Sequence, residues 1–395
     1  MNKFAVCILF FICLFLSSCN APNQEMSSIG VNIENPIYQY EYSDSHNGYI
    51  LIEYSGNENN VVVPEFYNEV SVCAIEAGVF SNNSTIQYIF IPPSIKEIGE
   101  QCFYNCSNLK SVVIASEDDI TLGSACFMDC SNLTSIEING KLNSLSSSLF
   151  SGCSSLSSIT LPDSLLKIEK NAFYLCTSLQ SLSIPAEVYE IGEFAFSGCS
   201  ALKSVTLPNM LSSIPKNLFS KCSSLVAVYI PASTVDIDCS AFSSTNALQE
   251  INVDENNPKY ISIDGMLIQR ETQELIFYPS GKKETSLIIP EFVTVIGERA
   301  FRAENSILEL TLHDKFIEIK NQGGSGCVQL EKLHVLSPDV VFHPDAFYRG
   351  GITYKNGIES NRTPYTYPFS IFCLENSTAV QYAIDNDIVF EFIEH

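Results

Sequence analysis

The residues with the widest chemical options in this sequence are its 15 cysteines, because thiolates bind zinc, form disulfides and act as nucleophiles. Two close pairs, Cys102 with Cys106 and Cys126 with Cys130, have a spacing suited to zinc half-sites. A zinc site also needs further ligands, but the histidines form no His-Glu-x-x-His motif and cluster with no cysteine pair. They occupy positions 46, 313, 334, 343 and 395. The sequence therefore predicts no metal site.

The sequence also lacks the short motifs of common catalytic and nucleotide sites. It contains no Gly-x-Ser-x-Gly elbow, no Walker loop and no Gly-x-Gly-x-x-Gly. The most glycine-rich segment, Gly323-Gly324-Ser325-Gly326, has no lysine after it. We expect no enzymatic activity, no catalytic residues and no cofactor. The formal net charge of −24 repels phosphate backbones, so nucleic acid is not an expected partner.

Cys19 differs from the other cysteines because it follows an apolar N-terminus. The apolar run from Phe4 to Leu16 would span about 20 Å as a helix, less than the hydrocarbon core of about 30 Å. This is typical of a secretory signal peptide, and Leu16-Ser17-Ser18-Cys19 resembles the lipobox of bacterial lipoproteins. We predict a lipoprotein signal peptide at residues 1–18, Cys19 as the lipid anchor and a tether at 19–36. An ordinary signal peptide is the alternative.

The element that organises the rest of the chain is a repeat. A phenylalanine recurs every 23 residues, with one step of 24, and an apolar residue lies five positions before it. The series comprises Phe80, Phe103, Phe127, Phe150, Phe173, Phe196, Phe219 and Phe242, and it resumes at Phe301, Gly324 and Phe347. Such a period is the signature of a fold built from stacked copies.

Each copy of the repeat predicts a short strand followed by a return to the core. In one copy, Ile159 and Leu161 point to one face of a strand, while Ser158 and Thr160 point to the other. The Ala-Phe-x-x-Cys-x-x-Leu stretch that follows suits one helical or 3₁₀ turn. A single copy cannot bury its apolar face, so stacked copies are expected to share a parallel sheet and a continuous core.

Most cysteines fall into register with this repeat. Cys102 and Cys126 take its alanine slot, and six others share a second slot: Cys106, Cys130, Cys153, Cys176, Cys199 and Cys222. A free cysteine packs as a compact apolar group, which suits a crowded interior. We therefore expect reduced, structural thiols. Disulfides between adjacent copies are the alternative.

With this pattern the sequence resembles the BspA-like leucine-rich repeat proteins and their Ile-Gly-x-x-Ala-Phe-x-x-Cys-x-x-Leu signature. The segment from Ile191 to Leu202 matches it nearly letter for letter, and Ile98-Gly99 and Ile296-Gly297 begin the same phrase. The resemblance implies an α/β repeat solenoid, that is, a right-handed leucine-rich-repeat superhelix with a parallel sheet on one face. It also implies a bacterial surface protein that acts in adhesion.

The irregular segments set the predicted boundaries. We assign 37–63 to an N-terminal β cap, 64–351 to the solenoid and 352–395 to a C-terminal cap. An insertion at about 254–289 is predicted to form a β-hairpin or a three-stranded meander that stands off the solenoid. Gly324 in the phenylalanine position predicts a loosely packed repeat.

The outward side chains of the strands are the candidates for binding. Small hydroxyl residues dominate the middle of this face, and aromatic and charged residues collect toward its ends. Because exposed aromatics often dominate interface energetics, the candidate ligand-binding residues are Tyr88, Phe90, Tyr229, Glu250, Asn252, Tyr260 and Tyr278. The alternatives are that the hydroxyl residues simply suit an open parallel sheet and that the tyrosines cover the base of the hairpin.

The leading hypothesis is a non-enzymatic lipoprotein of the bacterial envelope, at the outer membrane or cell surface, that binds a protein ligand. A host extracellular-matrix or mucosal protein would fit a role in adhesion. One alternative is a glycan-binding or nutrient-capture lipoprotein, although the absence of tryptophan is unfavourable for sugar stacking. Another is a passive envelope spacer. The oligomeric state is left open.

Overall fold

The structure, a computed structural model, describes residues 37–301, 306–347, 354–355, 358–359 and 369–393. Cys19, the predicted signal peptide at 1–18 and the predicted tether at 19–36 lie outside the described residues. Within the described ranges, no helix is both long enough and apolar enough to cross a bilayer.

The first described strands form an antiparallel hairpin that leads into the repeats. β1 (Tyr38–Ser43) pairs with β2 (Gly48–Tyr54), at the position where the sequence predicts strands of a cap. The next strands are β3 (Asn60–Val62), β4 (Phe66–Tyr67) and β5 (Val70–Ile75). β2 pairs parallel with β5, and β3 pairs parallel with the first strand of the next repeat. The segment 37–63 therefore supplies strands to both sheets of the solenoid.

Most regular repeats contribute a longer strand and, nine or ten residues later, a two-residue strand. The two repeats that contain Ile159 and Leu182 contribute only the two-residue strand, so the strand predicted around Ile159 and Leu161 is not formed. The elements are β6 (Tyr88–Ile91), β7 (Glu97–Ile98), β8 (Ser111–Ile114), β9 (Thr121–Leu122), β10 (Ser135–Ile138), β11 (Ser144–Leu145), β12 (Lys167–Ile168), β13 (Glu190–Ile191), β14 (Ser204–Thr206), β15 (Ser213–Ile214), β16 (Ala227–Ile230), β17 (Asp236–Ile237) and β18 (Glu250–Val253). A 3₁₀ helix, Cys239–Phe242, lies between β17 and β18.

The remaining elements follow the predicted insertion. They are β19 (Tyr260–Ile263), β20 (Met266–Gln269), β21 (Glu274–Phe277), β22 (Ser286–Ile288), β23 (Val295–Ile296), β24 (Glu309–Leu312), β25 (Glu318–Ile319), β26 (Lys332–Val335), β27 (Val341–Phe342), β28 (Tyr354–Lys355), β29 (Ile358–Glu359), β30 (Ser370–Cys373), α1 (Thr378–Asp385) and β31 (Val389–Phe392). Ser377 occupies the predicted N-cap position of α1, but its side chain makes no capping hydrogen bond.

Two parallel sheets run along the solenoid. The long-strand sheet has the segments β3-β6-β8-β10, β14-β16-β18 and β22-β24-β26-β30-β31. The short-strand sheet contains β5-β7-β9, β11-β12-β13, β15-β17 and β21-β23-β25-β27. Equivalent residues of successive repeats pair directly, as Tyr88 does with Ser111 and Ser204 with Ala227. The predicted parallel-strand solenoid is confirmed.

Among the described residues, the part of the repeats opposite the sheets consists of turns and one 3₁₀ helix, Cys239–Phe242, so the predicted α/β character is wrong. Left-handed residues lie two positions before and two after a core phenylalanine, for example Gln101 (φ 53°) and Asn105 (φ 56°) around Phe103. A left-handed residue ends a helical run at once. The turns instead form their own ladder, in which the phenylalanine N–H donates to a carbonyl of the next repeat at 2.8–3.2 Å.

The phenylalanines form one continuous column inside the solenoid. From Phe80 to Phe242 the rings are buried and stacked on their neighbours, with centroids 5.0–6.1 Å apart and interplanar angles of 1–22°. Beside the column, each cysteine of the shared slot donates its S–H to a phenylalanine carbonyl of the preceding repeat, at 3.0–3.2 Å. The twelve described cysteines are free thiols.

The insertion lies inside the fold, contrary to the prediction that it stands off the solenoid. β19, β20 and β21 form an antiparallel meander, and β21 then pairs parallel with β23. Successive residues of β20 face different cores, because Leu267 packs in the N-terminal core, and Met266 and Ile268 pack in the C-terminal core. The ring centroids of Phe277 and Phe242 lie 5.4 Å apart, and those of Tyr278 and Phe301 lie 4.8 Å apart. The meander therefore bridges the interrupted phenylalanine column.

The repeat that carries Gly324 is packed, contrary to prediction. A Cβ atom added to Gly324 would lie only 2.3 Å from the ring of Phe347. The ring of the following repeat therefore occupies the space that the missing phenylalanine would fill. Gly324 itself is buried.

Candidate functional site

The outward side chains of the long-strand sheet form the two columns that the sequence predicts. The pairings place Ala227 beside Glu250 in the first column, and Thr206, Tyr229 and Asn252 in line in the second. A parallel register keeps like positions adjacent because successive side chains alternate between the two faces. Toward the C-terminal end, Glu309 and Lys332 form an ion pair at 2.6 Å. Each charge is therefore neutralised by the other on the outer face of the sheet.

The hydroxyl-rich middle of this face contains a cavity of about 490 Å³. Its lining consists of Ser181, Leu182, Ser183, Ile184, Ala186, Ser204, Val205, Thr206, Leu207, Pro208 and Asn209. No charged or aromatic side chain is among them, so the cavity has few groups to specify a ligand.

A larger cavity, of about 660 Å³, lies where the long-strand sheet is interrupted between β18 and β22. We call this cavity the notch. It is lined by Gln249, Glu250, Asn252, Asp264, Gly265, Met266, Gly281, Lys282, Lys283, Glu284 and Leu287. Two of the predicted site residues, Glu250 and Asn252, thus line the notch, where Asn252 donates a hydrogen bond to Glu250 at 3.2 Å.

Tyr229 stands beside the notch on the neighbouring strand. Its side chain is 37% exposed, and it is the register partner of Asn252. The phenol O–H donates to Asp254 Oδ2 at 2.6 Å. This hydrogen bond raises the pKa of Tyr229 and lowers the pKa of Asp254. The ring is therefore held in one orientation while much of its surface remains open to a partner.

The far wall of the notch is fixed by Lys282. Its ammonium group donates to the carbonyl oxygen of Asp264 at 2.9 Å and forms an ion pair with Glu284 at 3.1 Å. The Lys282 side chain is only 13% exposed. Glu284 also accepts a hydrogen bond from the Tyr278 hydroxyl at 3.3 Å. Lys282 thus ties the meander turn to the chain that enters β22 and gives the notch a rigid wall.

Tyr260 and Tyr278, two further predicted site residues, are not available to a ligand. Tyr260 is 5% exposed, and Tyr278 is 1% exposed. Because the meander is part of the interior, its tyrosines pack in the two cores rather than at the surface. Tyr278 supports the notch only indirectly, through Glu284.

The remaining predicted residues, Tyr88 and Phe90, lie on β6, far from the notch. Tyr88 is exposed, and Phe90 is half-buried. β6 precedes β16 by six repeats, which at about 4.8 Å per strand separates them by roughly 30 Å. The predicted residues therefore occupy two separate locations, and the one around Tyr229 adjoins the notch.

The sequence reasoning missed Lys282, Asp264 and Ile288. In the sequence, Asp264 stands out only as half of the tight-turn dipeptide Asp264-Gly265, and nothing in the repeat pattern marks the chain before β22. Ile288 lies on the outer face of β22 and is 69% exposed. The sequence does give one indication that Ile288 points outward. It lies two residues before Pro290, as the outward-facing Thr160 lies two residues before Pro162.

No group of three or more His, Cys, Asp or Glu side chains in the described ranges is arranged to hold a metal ion. The notch carboxylates Glu250 and Asp264 are accompanied by the ammonium groups of Lys282 and Lys283. The arrangement suits contacts with polar and charged side chains of a partner.

The repeat geometry agrees with one protein family. The chain matches the family model of the BspA type leucine-rich repeat region, in six copies, over residues 58–179, 166–264 and 270–376. The chain belongs to this family. The family match supports a protein-interaction scaffold in general. A search of curated proteins finds no match.

Two solved structures share the fold of this BspA-type protein. A leucine rich cell surface protein from Faecalibacterium prausnitzii is 22% identical, with a TM-score of 0.56, and the alignment covers 93% of this chain and 96% of that chain. A leucine-rich repeat protein from Bacteroides ovatus is 20% identical, with a TM-score of 0.55 and coverage of 92% and 100%. At these identities the similarity shows the fold alone.

Proposed function

We propose that this BspA-type protein is a non-enzymatic, lipid-anchored surface protein that binds a protein ligand at Tyr229 and the adjacent notch. The observation that carries the proposal is the contrast along the long-strand sheet. An exposed, oriented tyrosine and a charged cavity lie at one place on a face that is otherwise rich in small hydroxyl residues.

The composition of this site favours a protein over a small molecule. The notch is open and polar, whereas small-molecule sites are usually enclosed and mostly apolar. Protein interfaces combine a few aromatic anchors with a polar rim, and tyrosine is among the residues that most often dominate their binding energy. Tyr229 would be the anchor, with Glu250 and Asn252 as its polar neighbours.

A binding assay with defined proteins tests the site. Residues 20–395 would be presented to immobilised extracellular-matrix proteins and mucins, and affinity would be measured by biolayer interferometry. For a protein that binds, Tyr229→Ala should weaken affinity by at least about tenfold. Truncating an aromatic residue that becomes buried at the centre of an interface typically costs about 2 kcal/mol or more of binding free energy. Tyr189→Ala is the matched control, since Tyr189 is 42% exposed but lies away from the notch beside β13.

Equal losses in the Tyr229 and Tyr189 variants would contradict the placement of the site. The same two variants on a glycan array would address the alternative, a glycan-binding lipoprotein. A Tyr229-dependent glycan signal without any protein signal would replace the proposal with that alternative.

Anchoring at Cys19 is supported by the lipobox resemblance and by the similarity to the Faecalibacterium protein, which is a cell surface protein. Two acyl chains would hold the protein stably at a membrane, whereas one gives only marginal binding. Cys19→Ser should abolish incorporation of an alkyne-labelled palmitate and release the protein from the cell fraction. Labelling of the variant at the level of the unmodified protein would rule the anchor out.

A further inference from the structure

The long-strand sheet has two strand edges that face each other across the notch. β18 ends one segment of the sheet and β22 begins the next, and they are not paired with each other. Beneath the notch the core continues, because the ring centroids of Phe277 and Phe242 lie 5.4 Å apart and β21 pairs with β23. The long-strand sheet therefore lacks strand pairing at this junction, as it also does between β10 and β14, while the core beneath the notch is filled.

The backbone hydrogen bonds on either side of β22 identify which groups point into the notch. Just after β22, Ile289 N–H donates to the Thr311 carbonyl at 2.9 Å, and just before it, the Thr285 carbonyl accepts from Glu309 N–H at 3.0 Å. Hydrogen-bonding groups alternate along a strand, so the N–H and C=O groups of Ser286 and Ile288 point away from β24 and toward the notch. In β18 the corresponding edge is partly occupied, because Ile251 N–H donates to the Gly265 carbonyl at 2.9 Å. β22 therefore offers the freer edge.

The surroundings of this edge fit an extended chain. Met266 and Leu287 are buried beneath it, so the inward side of an added strand would meet an apolar floor. On the outward side, such a strand would lie between Glu250 and Ser286 in one column, and between Asn252 and the exposed Ile288 in the other. Cross-strand neighbours of this kind determine which side chains are favoured.

We propose that the notch takes an extended segment of a protein partner as an added strand on the β22 edge, with a basic residue beside Glu250 and an apolar residue two positions away beside Ile288. This inference rests on the proposed function, protein binding at the notch, and specifies the chemistry of the segment that is bound. Glu250 forms no ion pair with any described residue, whereas Lys282 across the notch is already paired with Glu284. Lys283 also lines the notch, so we assign the cationic side chain only to the position beside Glu250, and the net charge of −24 favours a cationic partner segment. Strand addition supplies affinity through main-chain hydrogen bonds, and alternate side chains supply specificity.

The test uses a substitution that removes one edge donor. Ile288→Pro deletes an N–H that the sheet does not use, and proline is tolerated at such an edge position. Ile288→Thr is the control for the side chain because it keeps the N–H. Phe392→Pro is the control for proline at an open edge, because Ile393 N–H donates to Cys373 and the Phe392 N–H therefore points away from β30.

The probes are acetylated and amidated octapeptides that place lysine and valine two positions apart, with a second set in which lysine is replaced by glutamate. Binding would be followed by fluorescence anisotropy. We expect the lysine peptides to bind more tightly than the glutamate peptides, and Ile288→Pro to weaken binding at least about tenfold more than Ile288→Thr or Phe392→Pro does. In the unmodified protein, the peptide should slow amide exchange of the segment 286–288, a readout that does not depend on the folding of any variant.

Two outcomes would overturn strand addition. One is that no lysine peptide binds, and the other is that the Ile288→Pro and Ile288→Thr variants bind alike with unchanged exchange at 286–288. If Tyr229→Ala still weakens binding to an immobilised protein in either case, the proposed function stands and only the strand-addition mode fails. If Tyr229→Ala has no effect either, both proposals fail.

Discussion

At the scale of single residues, the cysteines show how position decides chemistry. In the shared slot each S–H group donates to a phenylalanine carbonyl of the preceding repeat, so the thiol satisfies a buried acceptor. Burial raises the pKa of Cys106 and Cys222 to about 12, because a thiolate would be stranded in an apolar interior. Such thiols are poor nucleophiles and poor metal ligands at neutral pH. Their regular spacing therefore reflects packing.

Thiol labelling tests this view of the cysteines. In native protein that begins at residue 20, N-ethylmaleimide should modify only Cys73 and Cys239, the two described cysteines that are not buried. The buried thiols are shielded from the reagent, and burial raises the pKa of those such as Cys106 and Cys222, so the buried thiols should stay unreactive even at pH 9. In guanidinium without reductant all twelve should react, as read by intact mass. Fewer than twelve additions in guanidinium would point to disulfides between adjacent repeats.

At the scale of elements, the sequence predicted most strands well and the segment between strands less well. In most repeats the apolar alternation corresponds to a long strand and its two-residue partner, because a period of two is the direct signature of a strand, but the same alternation at Ile159 and Leu161 forms no strand. The Ala-Phe-x-x-Cys-x-x-Leu spacing suits a helical turn equally well, and left-handed residues such as Asn171 and Leu175 decide against it. Leu175 is not a residue type that favours this conformation, so no propensity argument could have placed it there.

The meander is the element that sequence reasoning placed wrongly, and Asn257 explains how it is held. The buried Asn257 side chain donates to the carbonyls of Pro231 and Thr234 at 2.9 and 2.8 Å. Its Oδ1 accepts from the N–H groups of Lys259 and Tyr260 at 2.9 and 2.8 Å. One side chain thus attaches the start of the meander to the preceding repeat. An isolated asparagine in a loop gives no sign of this role in the sequence.

Replacing Asn257 should destabilise the protein and loosen the meander. Asn257→Ala leaves buried carbonyl and amide groups without partners, at a cost of about 1–3 kcal/mol for each unsatisfied group. Urea denaturation should show the lower unfolding free energy, and amide exchange should accelerate in β19. Asn256→Ala is the control, because the Asn256 side chain bonds only to the exposed Asp254. A similar loss for both variants would contradict the role of Asn257.

At the scale of the whole molecule, the interior consists of two apolar cores that meet at the meander. The N-terminal core extends from Leu51 to Phe277, and the C-terminal core extends from Met266 to Ile388. In repeat proteins each copy contacts mainly its neighbours, so stability is transmitted from one copy to the next. The meander takes the place of a regular repeat at this junction, and the notch is the surface result. The candidate site is therefore a consequence of how the two cores are joined.

The sequence by itself determined the repeat period, most of the strands, the buried phenylalanine and cysteine columns, and the two outward columns that contain Tyr229, Glu250 and Asn252. These follow from spacing alone, because a fixed period places equivalent residues in equivalent surroundings. Only the tertiary structure decided that the insertion is buried, that Tyr260 and Tyr278 are inaccessible, that the ring of Phe347 fills the space at Gly324, and that a notch separates β18 from β22. Each of these depends on contacts between segments with no common period, so their distances are set by packing and cannot be counted along the chain.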